Sequence, residues 1–151
     1  MVDKNNEIGI VFFDGNCNFC NNSVNFIYKK NKLKNLRYSS LQSEFSKKVL
    51  PQSVYQSTDF NTMYYYENMS MYSKSSAFLK LSKHLYFPYN MFSYFLIIPK
   101  KLRDSIYSFI SKRRHKFIKQ KTCRLMTAEE TTFFLNSLDD VENYKHIFYN
   151  K

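Results

Sequence analysis

The 151-residue chain reads as an α/β domain with the order β-α-β-α-β-β-α and a mainly helical C-terminal extension. Three observations predict this. An apolar run at residues 8–13 leads through a tight turn into a helix with two cysteines three positions apart. A second strand-like segment, 36–41, follows one helix length later. Two further strand-like segments then form a hairpin in front of an amphipathic helix. With 44% hydrophobic residues, the chain has enough apolar side chain to build one real core.

Ile8 to Phe13 is nearly continuous apolar, as expected of a strand covered on both faces. Asp14, Gly15 and Asn16 form the turn. Gly15 is one of only two glycines, which points to a backbone position needing positive φ or close approach. Asn16 is placed to cap the helix, with Cys17 at its first position. Cys20, Val24 and Ile27 then share the inward face. Lys29 and Lys30 close the helix, where the macrodipole favours cations. Leu36 to Leu41 is the second strand, parallel to the first because a crossover helix joins them. Ser43 opens a short helix with Phe45, Val49 and Leu50, stopped by Pro51. Residues 51–59 read as a polar loop. Phe60–Tyr66 and Met69–Tyr72 pair as a hairpin about Glu67-Asn68. Ser75 caps a helix carrying Ala77, Phe78, Leu81 and Leu85.

The remainder is helical in pattern. The aromatic segment Tyr86–Ile98 is expected to pack in the core. Pro99 opens a helix whose Leu102, Ile106, Phe109 and Ile110 form an apolar stripe opposite Lys101, Ser105, Lys112 and Arg113. Thr127-Ala-Glu-Glu is a start signal for a last helix through Leu138, and residues 139–151 carry no assignment. The division is a domain over 1–126, including the basic helical segment 99–124, and an extension over 127–151.

Charge is uneven. Ten Lys or Arg and one acid, Asp104, lie between Pro99 and Arg124, so this segment supplies +9 of the formal +11. Such a face attracts nucleic acid, anionic lipid or an acidic protein. The first residues carry no secretory signal, and no stretch reaches the length of a membrane span. Three cysteines without a signal argue against a structural disulfide framework. The expected setting is reducing and cytoplasmic.

The chemistry concentrates at Cys17 and Cys20. A helix N-terminus offers free N–H groups and partial positive charge, which favour a thiolate. Cys17 is expected at the exposed end, with Cys20 one turn deeper and shielded. Cys17 then attacks and Cys20 resolves the mixed disulfide. The competing chemistry is zinc, since Cys-x-x-Cys is also a metal knuckle. Cys123, His84, His115 and His146 are the remaining candidate ligands, none paired at ligand spacing. Asp14 either tunes or relays a proton for the dithiol, or stabilises the turn as an Asx residue. Cys123 is most simply a small buried hydrophobe.

Asp14-Gly15-Asn16-Cys17-Asn18-Phe19-Cys20 resembles the signature of the DCC family of thiol-disulfide oxidoreductases. Further blocks follow in the family's order: Ser40-Leu41-Gln42-Ser43-Glu44, Lys74-Ser75-Ser76-Ala77, Ile98-Pro99, Arg103-Asp104, Arg113 to Phe117, and Cys123. The resemblance spans residues 8–126. It implies a thioredoxin-like fold and dithiol-disulfide exchange at Cys17 and Cys20. The redox-active pair itself then serves in place of a bound cofactor, and no metal is required. The partners implied are a protein or small-molecule thiol or disulfide and an external reductant. Ordinary thioredoxins differ in placing a Trp before the first cysteine and a proline before the third strand; residues 59–62 stand in that place here. In such a topology residues 59–62 and Lys74 to Ser76 should flank Cys17, with Lys74 and Ser75 as supporting residues beside Asp14, Gly15 and Asn16. A second reading keeps the scaffold but makes it a non-catalytic binding module that presents the 99–124 segment to an anionic partner.

Overall fold

The computed structural model describes residues 8–56, 62–117 and 128–149. The apolar run becomes β1 (Gly9–Phe13), all five of whose residues are buried. It is followed by α1 (Asn18–Lys30), β2 (Leu36–Ser40), α2 (Glu44–Val49), α3 (Gln52–Gln56), β3 (Tyr64–Glu67), β4 (Ser70–Ser73) and α4 (Lys74–Leu81). The C-terminal part comprises a 3₁₀ segment (Tyr89–Ile97), α5 (Lys100–Phe117), α6 (Ala128–Thr131) and α7 (Leu138–Tyr149). The sheet order is β2-β1-β3-β4, with β1 parallel to β2 and antiparallel to β3, and β3 antiparallel to β4. This is the expected thioredoxin-like α/β core.

Alternation along β1 divides the interior. Val11 and Phe13 pack with Val24 and Ile27 of α1 and Ala77 and Leu81 of α4. Ile10 and Phe12 face Phe45 of α2, Leu135 and the apolar side of α7. Each fully buried side chain of this size contributes about 1.5–3 kcal/mol. Gly9 leaves room for the Tyr65 ring to lie across the start of β1.

Several local expectations shift. The hairpin turns about Asn68-Met69, one residue later than expected, with φ of 50° and 57°. Two successive positive φ values are what a two-residue hairpin requires, and Asn tolerates them better than Met does. The loop after Pro51 contains the short α3, whose Val54 packs against the core. Ser75 does not cap α4: Ser73 occupies the cap position without a side-chain capping bond, and Lys74 takes φ 54°. The Ser75 hydroxyl instead donates to Asp104 of α5.

The aromatic segment is not core. None of Tyr89–Ile97 is buried, and Phe87 and Ile97 are 76% and 91% exposed. Both faces of the sheet are already covered by helices, so this segment lies against α4 and reaches the core only through partly buried Tyr89, with ring contacts of Phe26 with Tyr89 and Phe78 with Phe92. The apolar stripe of α5 is likewise exposed at Leu102, Ile106, Phe109 and Ile110. That helix docks by polar anchors. Arg103 Nη1 donates to Ser75 Oγ and Ser76 Oγ of α4, both at 3.4 Å, Asp104 accepts from Ser75, and Tyr107 Oη accepts from Met63 N at 3.1 Å.

The last helix is also relocated. After α6 the chain bends so that Tyr38 N donates to Phe133 O and Leu135 N donates to Tyr38 O, covering the outer edge of β2. The helix that follows is α7, which packs on α2. Its start is a capping arrangement: Ser137 Oγ accepts from Asp140 N at 3.4 Å, and Asp140 Oδ2 accepts from Ser137 N at 2.9 Å. Cys123, residues 118–124 of the basic segment and residues 57–61 lie outside the described residues.

Candidate active site

The register pairing Phe13 with Ser40 brings the C-terminal ends of β1 and β2 side by side. The turn after β1 therefore meets the turn after β2, and Gln42 joins them. Its Nε2 donates to Asp14 Oδ1 at 2.9 Å, and its Oε1 accepts from Gly15 N at 3.0 Å. Asp14 Oδ1 also accepts from Asn16 N at 3.0 Å, an Asx turn. Asn21 Nδ2 donates to Gly15 O at 3.0 Å, tying the turn to α1. Gly15 does not adopt positive φ. Its need is close approach, since a Cβ there would stand 2.5 Å from Ser40 Oγ.

The helix starts one residue later than expected, so Cys17 rather than Asn16 is the cap. Cys17 has extended backbone angles, φ −102° and ψ 115°, and its Sγ accepts from Cys20 N at 3.4 Å. One orphan N–H of the helix N-terminus, that of Cys20, is thereby aimed at the sulfur. The exposures are the reverse of the expectation. Cys17 is only 2% exposed because its side chain folds back onto the first turn, whereas Cys20 is half-buried. Both are free thiols.

Cys20 borders a cleft of about 180 Å³ enclosed by β1, α1, α4, α5 and Met63. Phe13, Phe19, Met63, Phe78 and Ile110 give it an apolar lining, and Asp14 and Tyr107 stand at its polar points. Of the stretch 59–62 expected to flank the dithiol, only Thr62 is described, and it is buried; its neighbour Met63 reaches the cleft. Lys74 is linked to this region by its backbone, its N–H donating to Met63 O at 3.1 Å. Ser75 is drawn to Asp104. Gln42, Met63 and Tyr107 were not singled out from the sequence as site residues, although Gln42 lies in a recognisable block right after β2. Of the candidate zinc ligands, His84 is engaged by Glu67, Tyr65 and Asn35, at 2.8, 3.0 and 3.0 Å.

A dithiol at the N-terminus of the helix that follows the first strand of a β2-β1-β3-β4 sheet defines a thioredoxin-like protein with a Cys-x-x-Cys site. The model of the DCC1-like thiol-disulfide oxidoreductases matches residues 11–120, and the chain belongs to that family. It is 38% identical over 117 residues to the uncharacterised protein YuxK of Bacillus subtilis, covering 77% of this chain and 85% of that one. It is 34% identical over 118 residues to a chloroplastic DCC family protein of Arabidopsis thaliana, covering 77% and 69%. No solved structure matches the chain. Among the described residues, no helix is long and apolar enough to cross a membrane.

Proposed function

We propose that this protein carries out dithiol-disulfide exchange, with Cys17 as nucleophile and Cys20 as resolving thiol. The observation that carries this reading is the Cys20 N–H donated to Cys17 Sγ at the helix cap. The Cys17 thiolate attacks a substrate disulfide R–S–S–R′, forming Cys17–S–S–R and releasing R′S⁻. Cys20 loses its proton and attacks Cys17 Sγ, closing the Cys17–Cys20 disulfide and releasing RS⁻. Two electrons pass to the substrate, and an external thiol reductant restores the pair. Asp14 lines the same cleft as Cys20, and its carboxylate takes the proton in this reading. No bound cofactor is needed, and a reducing compartment such as the cytoplasm suits the cycle. Equilibration against graded glutathione couples, read by alkylation of free thiols, tests the reading. A single two-electron transition at Cys17 and Cys20 supports it, and a pair that never oxidises or never returns overturns it.

A second reading rests on the exposed aromatics. Phe87, Phe95, Ile97 and Phe109 are exposed, Lys100, Lys101, Lys112 and Arg113 are exposed on α5, and Arg113 lies over the Phe109 ring at 4.0 Å. Apolar rings interleaved with cations fit an anionic lipid surface better than a nucleic acid, which needs no aliphatic face. Sedimentation with vesicles rich in anionic lipid, lost with neutral vesicles, supports it; binding to nucleic acid alone overturns it.

A further inference from the structure

We infer that the cleft beside Cys20 is a specificity pocket for one apolar group carried next to the substrate's sulfur. The inference rests on the dithiol reading and deepens it. The cleft measures about 180 Å³ and is walled by Phe13, Phe19, Met63, Phe78 and Ile110. A dry apolar cavity of about 150 Å³ holds a benzene ring. This volume therefore suits a single aromatic or branched aliphatic side chain, and it is below the size of a site for a larger ligand.

Two observations narrow the occupant. The lining residue that carries charge is Asp14. A carboxylate in an apolar wall disfavours anionic substituents, so the carboxylates of a glutathione moiety fit poorly there. The second concerns the backbone. A peptide substrate can dock beside a dithiol by pairing with an exposed main-chain amide. Here the Met63 N–H, at the point where the chain enters β3, already donates to Tyr107 Oη at 3.1 Å. Its carbonyl accepts from Lys74 N at 3.1 Å. The α5 helix has taken that docking position, and recognition passes to the side-chain cleft that the same helix encloses. The substrate class is a peptide or protein disulfide whose cysteine has an apolar neighbour.

The test uses the full chain and two synthetic peptides. Each carries one cysteine in a mixed disulfide with the same coloured aryl thiol, flanked in one by Phe and in the other by Asp. Cys17 Sγ bonds to the peptide sulfur, the peptide–aryl S–S bond breaks, and the aryl thiolate leaves, so its release gives the rate. The Phe peptide is expected to react about tenfold faster or more, the gain from burying one such side chain. Ile110→Glu, at a position 46% exposed, should bring the ratio towards one. Leu33→Glu, an exposed position away from the cleft lining, should keep it. Equal rates for both peptides overturn the pocket and leave the dithiol reading standing. A preference that survives Ile110→Glu overturns the pocket's location. Failure of both peptides to react overturns the pocket together with the reading beneath it.

Discussion

Gln42 holds Asp14 in place: its side-chain amide donates to Asp14 Oδ1 at 2.9 Å while its carbonyl oxygen accepts the Gly15 N–H at 3.0 Å. One side chain from the turn after β2 thus fixes both the carboxylate of the cleft and the backbone that leads to Cys17. Gln42→Ala should lower stability by about 2–4 kcal/mol, the loss of three partly buried side-chain hydrogen bonds, to Asp14, Gly15 and Ser40. It should also slow exchange several-fold. Gln42→Glu should do worse, because it removes the donor and sets a second carboxylate against Asp14. Denaturant titration and exchange rates measured side by side check this; a Gln42→Ala protein identical to the parent in both removes the clamp.

Gly15→Ala tests close approach without backbone strain. Its added Cβ meets Ser40 Oγ at 2.5 Å, and the hydroxyl must swing away from Gln42, to which it donates at 2.6 Å. The expected cost is about 1–3 kcal/mol. Combining it with Ser40→Gly should recover part of that cost, since the two changes share one contact. Strict additivity in urea unfolding would show that the glycine is needed for another reason.

Stability should depend on pH through Glu67. The hydrogen bond from His84 outweighs the opposing effect of burial and, with help from Tyr65, holds the Glu67 carboxyl below its ordinary range. A carboxyl lowered in the folded state binds its proton more readily when unfolded. Its contribution is therefore present above the usual glutamate range and is lost as pH falls through the folded value. Urea midpoints should hold from neutral pH down to the usual glutamate range and fall as pH drops below it, and Glu67→Gln should flatten that fall while lowering stability at neutral pH. An unchanged acid limb in Glu67→Gln contradicts the assignment.

The sequence was most legible where local signals agree. The apolar run of β1, the glycine-bearing turn and the Cys20-Val24-Ile27 face all point to one strand-turn-helix unit, and the fold follows from it. The start of the cysteine-bearing helix was legible to within one residue. That single residue matters, because moving the cap from Asn16 to Cys17 folds the sulfur back onto the helix and reverses which cysteine is open. The docking face of α5 was hidden because its anchors, Arg103, Asp104 and Tyr107, are polar. Apolar periodicity therefore marked the side that remains exposed. The start of α7 was written in Ser137 and Asp140, but the earlier Thr127 signal competes with it. Gln42 reaches Gly15 and Asp14 across 27 and 28 residues, beyond any local pattern.

The central claim is that Cys17 attacks and Cys20 resolves. The most direct measurement is the mass of adducts formed when Cys20→Ser and Cys17→Ser are each incubated with a peptide disulfide. The account predicts a stable mixed disulfide on Cys17 in Cys20→Ser and none in Cys17→Ser. An adduct formed only on Cys20, the more exposed thiol, would contradict it.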